Sequence, residues 1–275
     1  MVSKSYDIDY LKELARQARI DVIKMLEAAK SGHTGGSLSE IEILVALYGH
    51  VMKHDPANIS MPDRDRFIIS KGHGIPGLYA VMAQLGYWKR EDMLSLRVLD
   101  SDFQGHPDRV RMPAVEASTG SLGQGLSIAV GNALSSRVDK DAFRVYCLIG
   151  DGESQEGQIW EAALSAAKFK LDNLVCILDY NKAQIDGFVK DVMPLEPIAD
   201  KWEAFGWHVI SVDGHDLDAI IAALDEAAAT KGKPTFIIAD TVKGKGVSFI
   251  EGLVDWHGAA PNAEQAKKAL KELGA

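Results

Sequence analysis

Apolar residues recur at helical spacing through Ile8, Leu11, Leu14, Ala18, Val22, Met25 and Leu26, predicting a helix over 7–30 that Gly32 stops. A second helix is predicted from Ser39, a candidate N-cap, to about Val51. Residues 66–70 read as a short strand feeding the loop 71–74, and 75–86 as a helix ending at Gly86. The stretch 100–121 has no period and carries Gly105, Pro107, Pro113 and Gly120. Long irregular segments in compact domains are often functional. From residue 122 the pattern alternates: helix 123–138, strand 144–149, helix 156–169, strand 174–179, a helix near 198–205, strand 207–212, helix 216–229, strand 235–240 and a closing helix 262–273. The strands are continuous runs of Val, Ile, Leu and Cys, as in a parallel sheet covered on both faces. No repeat, low-complexity tract or linker interrupts them. The expectation is one doubly wound α/β domain over 1–275, a mostly parallel sheet with helices on both faces and a helical start.

Composition changes this picture little. At 275 residues, 47% hydrophobic and 25% charged, the chain can bury a large core without dividing in two. A net charge of −9 with no basic stripe argues against a nucleic-acid surface. Cys147 and Cys176 lie within apolar runs and are expected to be buried thiols in a reducing compartment. The polar start Met1–Asp9 does not resemble a signal peptide, and no run reaches membrane-spanning length. A cytoplasmic location is expected, with no membrane partner.

The chemistry concentrates in loops. Gly150-Asp151-Gly152 closes one predicted strand, and Asn181 follows the next. The span between them holds one helix and one strand, a crossover that returns both loops to the same edge of a parallel sheet. One carboxylate and one amide oxygen converging there, with the Ala183 carbonyl as a third ligand, suit a hard cation on a diphosphate. Magnesium takes about six oxygens near 2.1 Å and needs few carboxylates when phosphates supply charge. The flanking glycines would let backbone approach the phosphates.

His33, His73, His106 and His257 all stand in glycine-flanked loops, where imidazoles are expected to be exposed and free to bind sugar hydroxyls or move protons. His50, His54, His208 and His215 lack that setting and read as structural. Neither paired cysteines nor His-Glu-x-x-His spacing points to zinc. The run Thr119-Gly120-Ser121-Leu122-Gly123-Gln124-Gly125 enters a helix. It serves either as a tight turn or as a close backbone approach to a cofactor, without the Walker or dinucleotide spacing.

Together these segments resemble the thiamine-diphosphate-binding half of transketolase. The motifs are Ser31-Gly32-His33, Ser70-Lys71-Gly72-His73, Gly105-His106-Pro107, Thr119 to Gly125, Gly150-Asp151-Gly152 with Glu156-Gly157, Asp179 to Gly187, and Trp256-His257-Gly258. Gly-Asp-Gly with a later Asn is shared by many thiamine enzymes; the histidine loops are what point to transketolase. The resemblance implies a thiamine-diphosphate-binding fold in which Asp151, Asn181 and the Ala183 carbonyl hold Mg2+ (or Ca2+ or Mn2+) on the cofactor diphosphate. It places His73, Gly120, Ser121, Leu122, Gly152, Glu153, Asn181 and His257 against thiamine diphosphate. His33, His106 and His257 would assist proton transfer or bind substrate hydroxyls, and Glu156 and Glu161 would lie at a subunit interface. Thr34, where the family often has proline, and Tyr180, where Asp or Asn is frequent, depart from the pattern without removing a ligand.

A full transketolase continues into a pyrimidine-binding domain and a further C-terminal domain, whereas this sequence stops at Gly274-Ala275. The resemblance therefore implies the N-terminal subunit of a split transketolase, working with a C-terminal subunit, expected as a heterotetramer with two copies of each chain. The reaction implied is transfer of a two-carbon ketol unit between sugars or sugar phosphates. The alternatives are a deoxyxylulose-phosphate synthase-like or 2-oxo acid dehydrogenase-like subunit, or a noncatalytic cofactor-binding one. The four histidine loops fit the first two less well.

Overall fold

In the computed structural model, which describes residues 6–275, the continuous apolar runs become the strands of one parallel sheet. The chain opens with helices α1 (Ile8–Ala29), α2 (Thr34–Ser39) and α3 (Ile41–Ala46). Strand β1 (Arg66–Ile69) leads to α4 (Ile75–Gln84), and α5 (Gln124–Asp139) precedes β2 (Val145–Gly150). Helix α6 (Gly157–Lys168) crosses to β3 (Leu174–Tyr180), followed by a small hairpin of β4 (Ala183–Gln184) and β5 (Gly187–Phe188). Then come α7 (Val189–Val192), α8 (Ile198–Ala204), β6 (His208–Asp213), α9 (Leu217–Ala229), β7 (Thr235–Asp240) and α10 (Ala263–Glu272).

The sheet order is β1-β2-β3-β7-β6 with every pair parallel. Alternate residues of each strand serve opposite cores. Tyr146 and Leu148 pack with α1, α3, α4, α9 and α10, while Val145, Cys147 and Ile149 pack with α5, α6 and α8. That two-sided burial is why the strands read as unbroken hydrophobic runs. Trp202 on α8 stacks on Phe236 of β7 at 3.8 Å and closes the second core. The doubly wound α/β expectation agrees with this architecture. Cys147 and Cys176 lie in register on adjacent strands as buried free thiols. No described helix is long and apolar enough to cross a membrane. Met1–Ser5, the first part of the polar start, lies outside the described residues.

Three local expectations are corrected. Helix α1 ends at Lys30, which adopts the left-handed conformation (φ 53°) two residues before Gly32. The second helix begins at Thr34, and Ser39 is the last residue of α2. Its hydroxyl does not cap a helix but donates to Asp179 Oδ2 at 2.6 Å, a partner 140 positions away in sequence. A break at Glu40 separates α2 from α3, whose last turn widens into a π-helical turn over Leu47–Val51. The hairpin β4–β5 is too short to show a period and was absent from the sequence expectation.

Candidate active site

Parallel strands deliver their following loops to one edge, and here the loops after β1, β2, β3 and β7 meet there. Gly150 of β2 pairs with Asp179 of β3, so Asp151 and Asn181 emerge side by side across the α6 crossover. Asp151 is 3% exposed, with Oδ1 accepting from the Gly152 N–H at 2.7 Å and Oδ2 from the Lys182 N–H. Burial, together with the nearby Asp179 charge, pushes its pKa up to about 6, against the pull of Lys243 and the two N–H donors. Asn181 is held by its own neighbours. Its amide nitrogen donates to Asp179 Oδ2 at 3.1 Å, and its oxygen accepts weakly from the Ala183 N–H at 3.3 Å.

The four glycine-loop histidines converge. The His33 ring lies 5.1 Å from His73, 5.9 Å from His106 and 5.7 Å from His257, and His73 lies 5.2 Å from His257. They are less open than glycine-flanked loops suggested: His33, His73 and His257 are half-buried and only His106 is exposed. Glycines there allow the loops to pack closely rather than leaving them in solvent. A Cβ on Gly72 would meet the Thr119 carbonyl group at 2.7 Å, and one on Gly120 (φ 135°) would meet the His106 ring at 2.7 Å. Burial is the main reason all four imidazoles are held below the usual histidine range, His33 at about 4 and His257 at about 3. Nearby cations reinforce it: Arg97 at His33 and His106, Lys71 at His73 and Lys243 at His257. At neutral pH they are uncharged, able to accept as well as donate.

These groups share one cavity of about 330 Å³, which every expected site residue lines except Ser121. Ser121 is exposed, turned outward between Gly120 and the left-handed Gly123. Glu153 reaches the cavity, but its carboxylate points inward. It accepts from Ser70 Oγ at 2.5 Å, the Gly123 N–H at 2.9 Å and the Gly150 N–H at 3.0 Å, tying three loops together. Thr34 donates its N–H and hydroxyl to the Ala259 carbonyl at 3.3 and 2.6 Å, linking the His33 and His257 segments; a proline could give neither bond.

Three further residues were not anticipated. Lys243, after β7, is buried with Nζ 3.1 Å from the Ala183 carbonyl and 3.2 Å from His257 Nδ1. Burial lowers its pKa to about 8. Lys71 lies beneath the histidines between Glu40 and Asp179, donating to Asp179 and to the Gly36 carbonyl at 3.0 Å. Lys71 Nζ is 2.8 Å from Glu40 Oε2, but the alignment is poor and neither Glu40 oxygen has a well-directed donor. The two groups are close without a directed bond between them. Lys243 was legible in principle, since Val242-Lys243-Gly244 follows a strand onto the same edge. Glu40 carries no local signal, because it sits in an apolar helical stretch.

Residues 11–275 match the family profile described as transketolase, thiamine diphosphate binding domain. The chain belongs to the transketolase family. It is 45% identical over 273 residues to the 6-deoxy-6-sulfo-D-fructose transketolase subunit SqwG of Clostridium sp. (strain MSTE9), covering 99% of this chain and 98% of that one. It is 43% identical over 269 residues to an apulose-4-phosphate transketolase subunit of Actinobacillus succinogenes, covering 98% and 97%. The transketolase structure from Campylobacter jejuni superposes with a TM-score of 0.92 at 37% identity, over 98% of this chain and 43% of that chain. The chain thus spans nearly all of the subunit relatives and about two fifths of the longer transketolase.

The cavity fits the family's cofactor. His33 Nδ1 is buried without a partner, an orphan that a bound polar group would satisfy. Gly72, Gly120 and Gly152 let the loops around it pack closely, since a Cβ on them would meet Thr119, the His106 ring and Gln184 at 2.7–3.0 Å. The oxygen donors of Asp151, Asn181 and Ala183 are of the hard type that magnesium prefers. The Ala183 carbonyl already accepts from Lys243 but has a second lone pair.

Proposed function

We propose that this chain is the N-terminal subunit of a split transketolase, moving a two-carbon ketol unit from a ketose or its phosphate to an aldose or its phosphate, and active only with a C-terminal subunit. The observation that carries the reading is the convergence of four uncharged histidines on the cavity that also holds Asp151 and Asn181. The near-complete overlap with relatives named as transketolase subunits supports the two-chain arrangement.

When bound, thiamine diphosphate supplies the electron sink that lets a carbon–carbon bond beside a ketose carbonyl break and re-form. Asp151, Asn181 and the Ala183 carbonyl would hold Mg2+ against its diphosphate. Gly120, Leu122, Gly152 and the Glu153 backbone would form its bed with His73 and His257, and Lys243 adds positive charge beside the Ala183 carbonyl. His33, His106 and His257, uncharged at neutral pH, would bind sugar hydroxyls and take or return protons as alkoxides form and collapse. The assembly proposed is two copies of each chain, with exposed Glu156, just before α6, and exposed Glu161 on α6 available for subunit contact. The setting proposed is cytoplasmic sugar metabolism.

The test is reconstitution. Purified chain plus a partner carrying the pyrimidine-binding domain should transfer ketol units with thiamine diphosphate and Mg2+, whereas either alone should not. Robust turnover by this chain alone would sink the split-enzyme reading, and pyruvate decarboxylation in place of ketol transfer would reassign the chemistry.

A further inference from the structure

Lys243 points into the cavity from a loop held from behind. Val242 before it donates its N–H to His215 Nε2 at 2.8 Å, and the Lys245 carbonyl after it accepts from Arg19 Nε at 2.9 Å. Arg19 and His215 in turn share one carboxylate: Glu42 Oε2 lies 2.6 Å from Arg19 Nη2 and 2.9 Å from His215 Nδ1. The three come from separate places, Arg19 from α1, Glu42 from α3 and His215 from the loop between β6 and α9. None of them lines the histidine cavity; all three line a different one, of about 490 Å³.

We propose that Arg19, Glu42 and His215 form a positioning triad that grips the backbone on both sides of Lys243 and so fixes its ammonium in the cofactor cavity. The bonds leave little freedom. The Val242 N–H is a donor, so His215 Nε2 must present its lone pair and the ring proton sits on Nδ1, facing Glu42. Burial works against ionisation of Glu42, yet Arg19 and the His215 bond hold its pKa down at about 2, so it stays an acceptor for both. Gly246 (φ 95°) lets Arg19 lie against the loop, since a Cβ there would meet Arg19 Cδ at 2.9 Å. A buried ion pair is weak evidence for stability but a good means of specifying one arrangement over others. Here the arrangement specified is that of the segment bearing Lys243, whose Nζ stands between the Ala183 carbonyl and His257.

The inference rests on the proposed cofactor site, and the test separates the two. Mg2+-dependent thiamine diphosphate affinity of the chain reconstituted with its C-terminal partner is measured for wild type, His215→Ala, Lys243→Met and the double variant. Each single change should weaken binding by about tenfold, and the double should be no weaker than Lys243→Met, as expected for residues acting as one unit. His215→Gln, whose amide can both accept and donate, should recover most of the loss. Unchanged affinity in His215→Ala, or additive losses in the double variant, would overturn the triad. A second measurement needs no cofactor and uses a milder change. In Glu42→Gln, amine acylation of Lys243 followed by mass spectrometry should speed up several-fold relative to wild type, with buried Lys71 as the unmoved reference. Equal Lys243 labelling, or parallel increases at both lysines, would overturn the proposal. Failure of the wild-type chain, reconstituted with its partner, to bind thiamine diphosphate would count against the proposed function, while the labelling result still decides the triad.

Discussion

Asp151 carries the site's only expected acidic ligand, and its surroundings explain why it would welcome a cation. Buried near the Asp179 charge, its carboxyl is held at about 6, so a divalent ion would relieve an unfavourable ionisation. Asp151→Ala should weaken Mg2+-dependent thiamine diphosphate binding by up to about a hundredfold, read by titration calorimetry. Binding that survives unchanged would remove the cation assignment. The residue types and their loops were legible in the sequence, because Gly-Asp-Gly and the histidine loops carry their chemistry in local motifs. Side-chain direction was not. Ser121 turns outward and the Glu153 carboxylate turns inward, outcomes set by positive-φ glycines and by donors from Ser70, Gly123 and Gly150.

At the scale of elements, the strands were readable and the turns between them less so. Continuous apolar runs announced β2, β3 and β7 because both faces of the sheet are covered. Helix starts depend on single caps: Asp216 caps α9 and Asn262 closes a capping box on α10, whereas Ser39 looks like a cap and is not one. The turn after β1 depends on close backbone contact. A methyl at Gly72 would meet the Thr119 carbonyl carbon and oxygen and the Gly120 nitrogen at 2.7–2.8 Å, with no flexible side chain to yield. Gly72→Ala should therefore cost about 1–3 kcal/mol in thermal or denaturant unfolding and weaken cofactor binding with it. A variant with wild-type stability and affinity would show that the 119–123 loop can shift freely.

Across the whole molecule, the deepest charges lie where the α1–α4 layer meets the sheet edge. Glu40 is fully buried beside Lys71 and Asp179, two carboxyl groups around one ammonium. Burial raises Glu40 to about 8, with the Asp179 charge adding and Lys71 opposing, while Lys71 and the hydroxyls of Ser39 and Thr241 outweigh burial and keep Asp179 below its usual range. Folded Glu40 thus keeps a proton that the unfolded chain gives up near 4.5. Its contribution to stability is fully present below that value and is lost as pH rises through about 8. Glu40→Gln cannot ionise, so its melting temperature should rise relative to wild type between about pH 5 and pH 8. A constant difference across that window would place the proton elsewhere. By itself, the sequence determined the fold class, the order of the sheet strands and main helices along the chain, and which loops carry the candidate chemistry, because hydrophobic period and short motifs are local properties. Only the tertiary structure decided that His33 lies among three other imidazoles, that Lys243 faces Ala183, and that Ser39, Lys71 and Glu40 gather around Asp179. Those partners stand tens to hundreds of residues apart, and they meet because the parallel sheet delivers four loops to one edge, where the N-terminal segment around α2 packs against them.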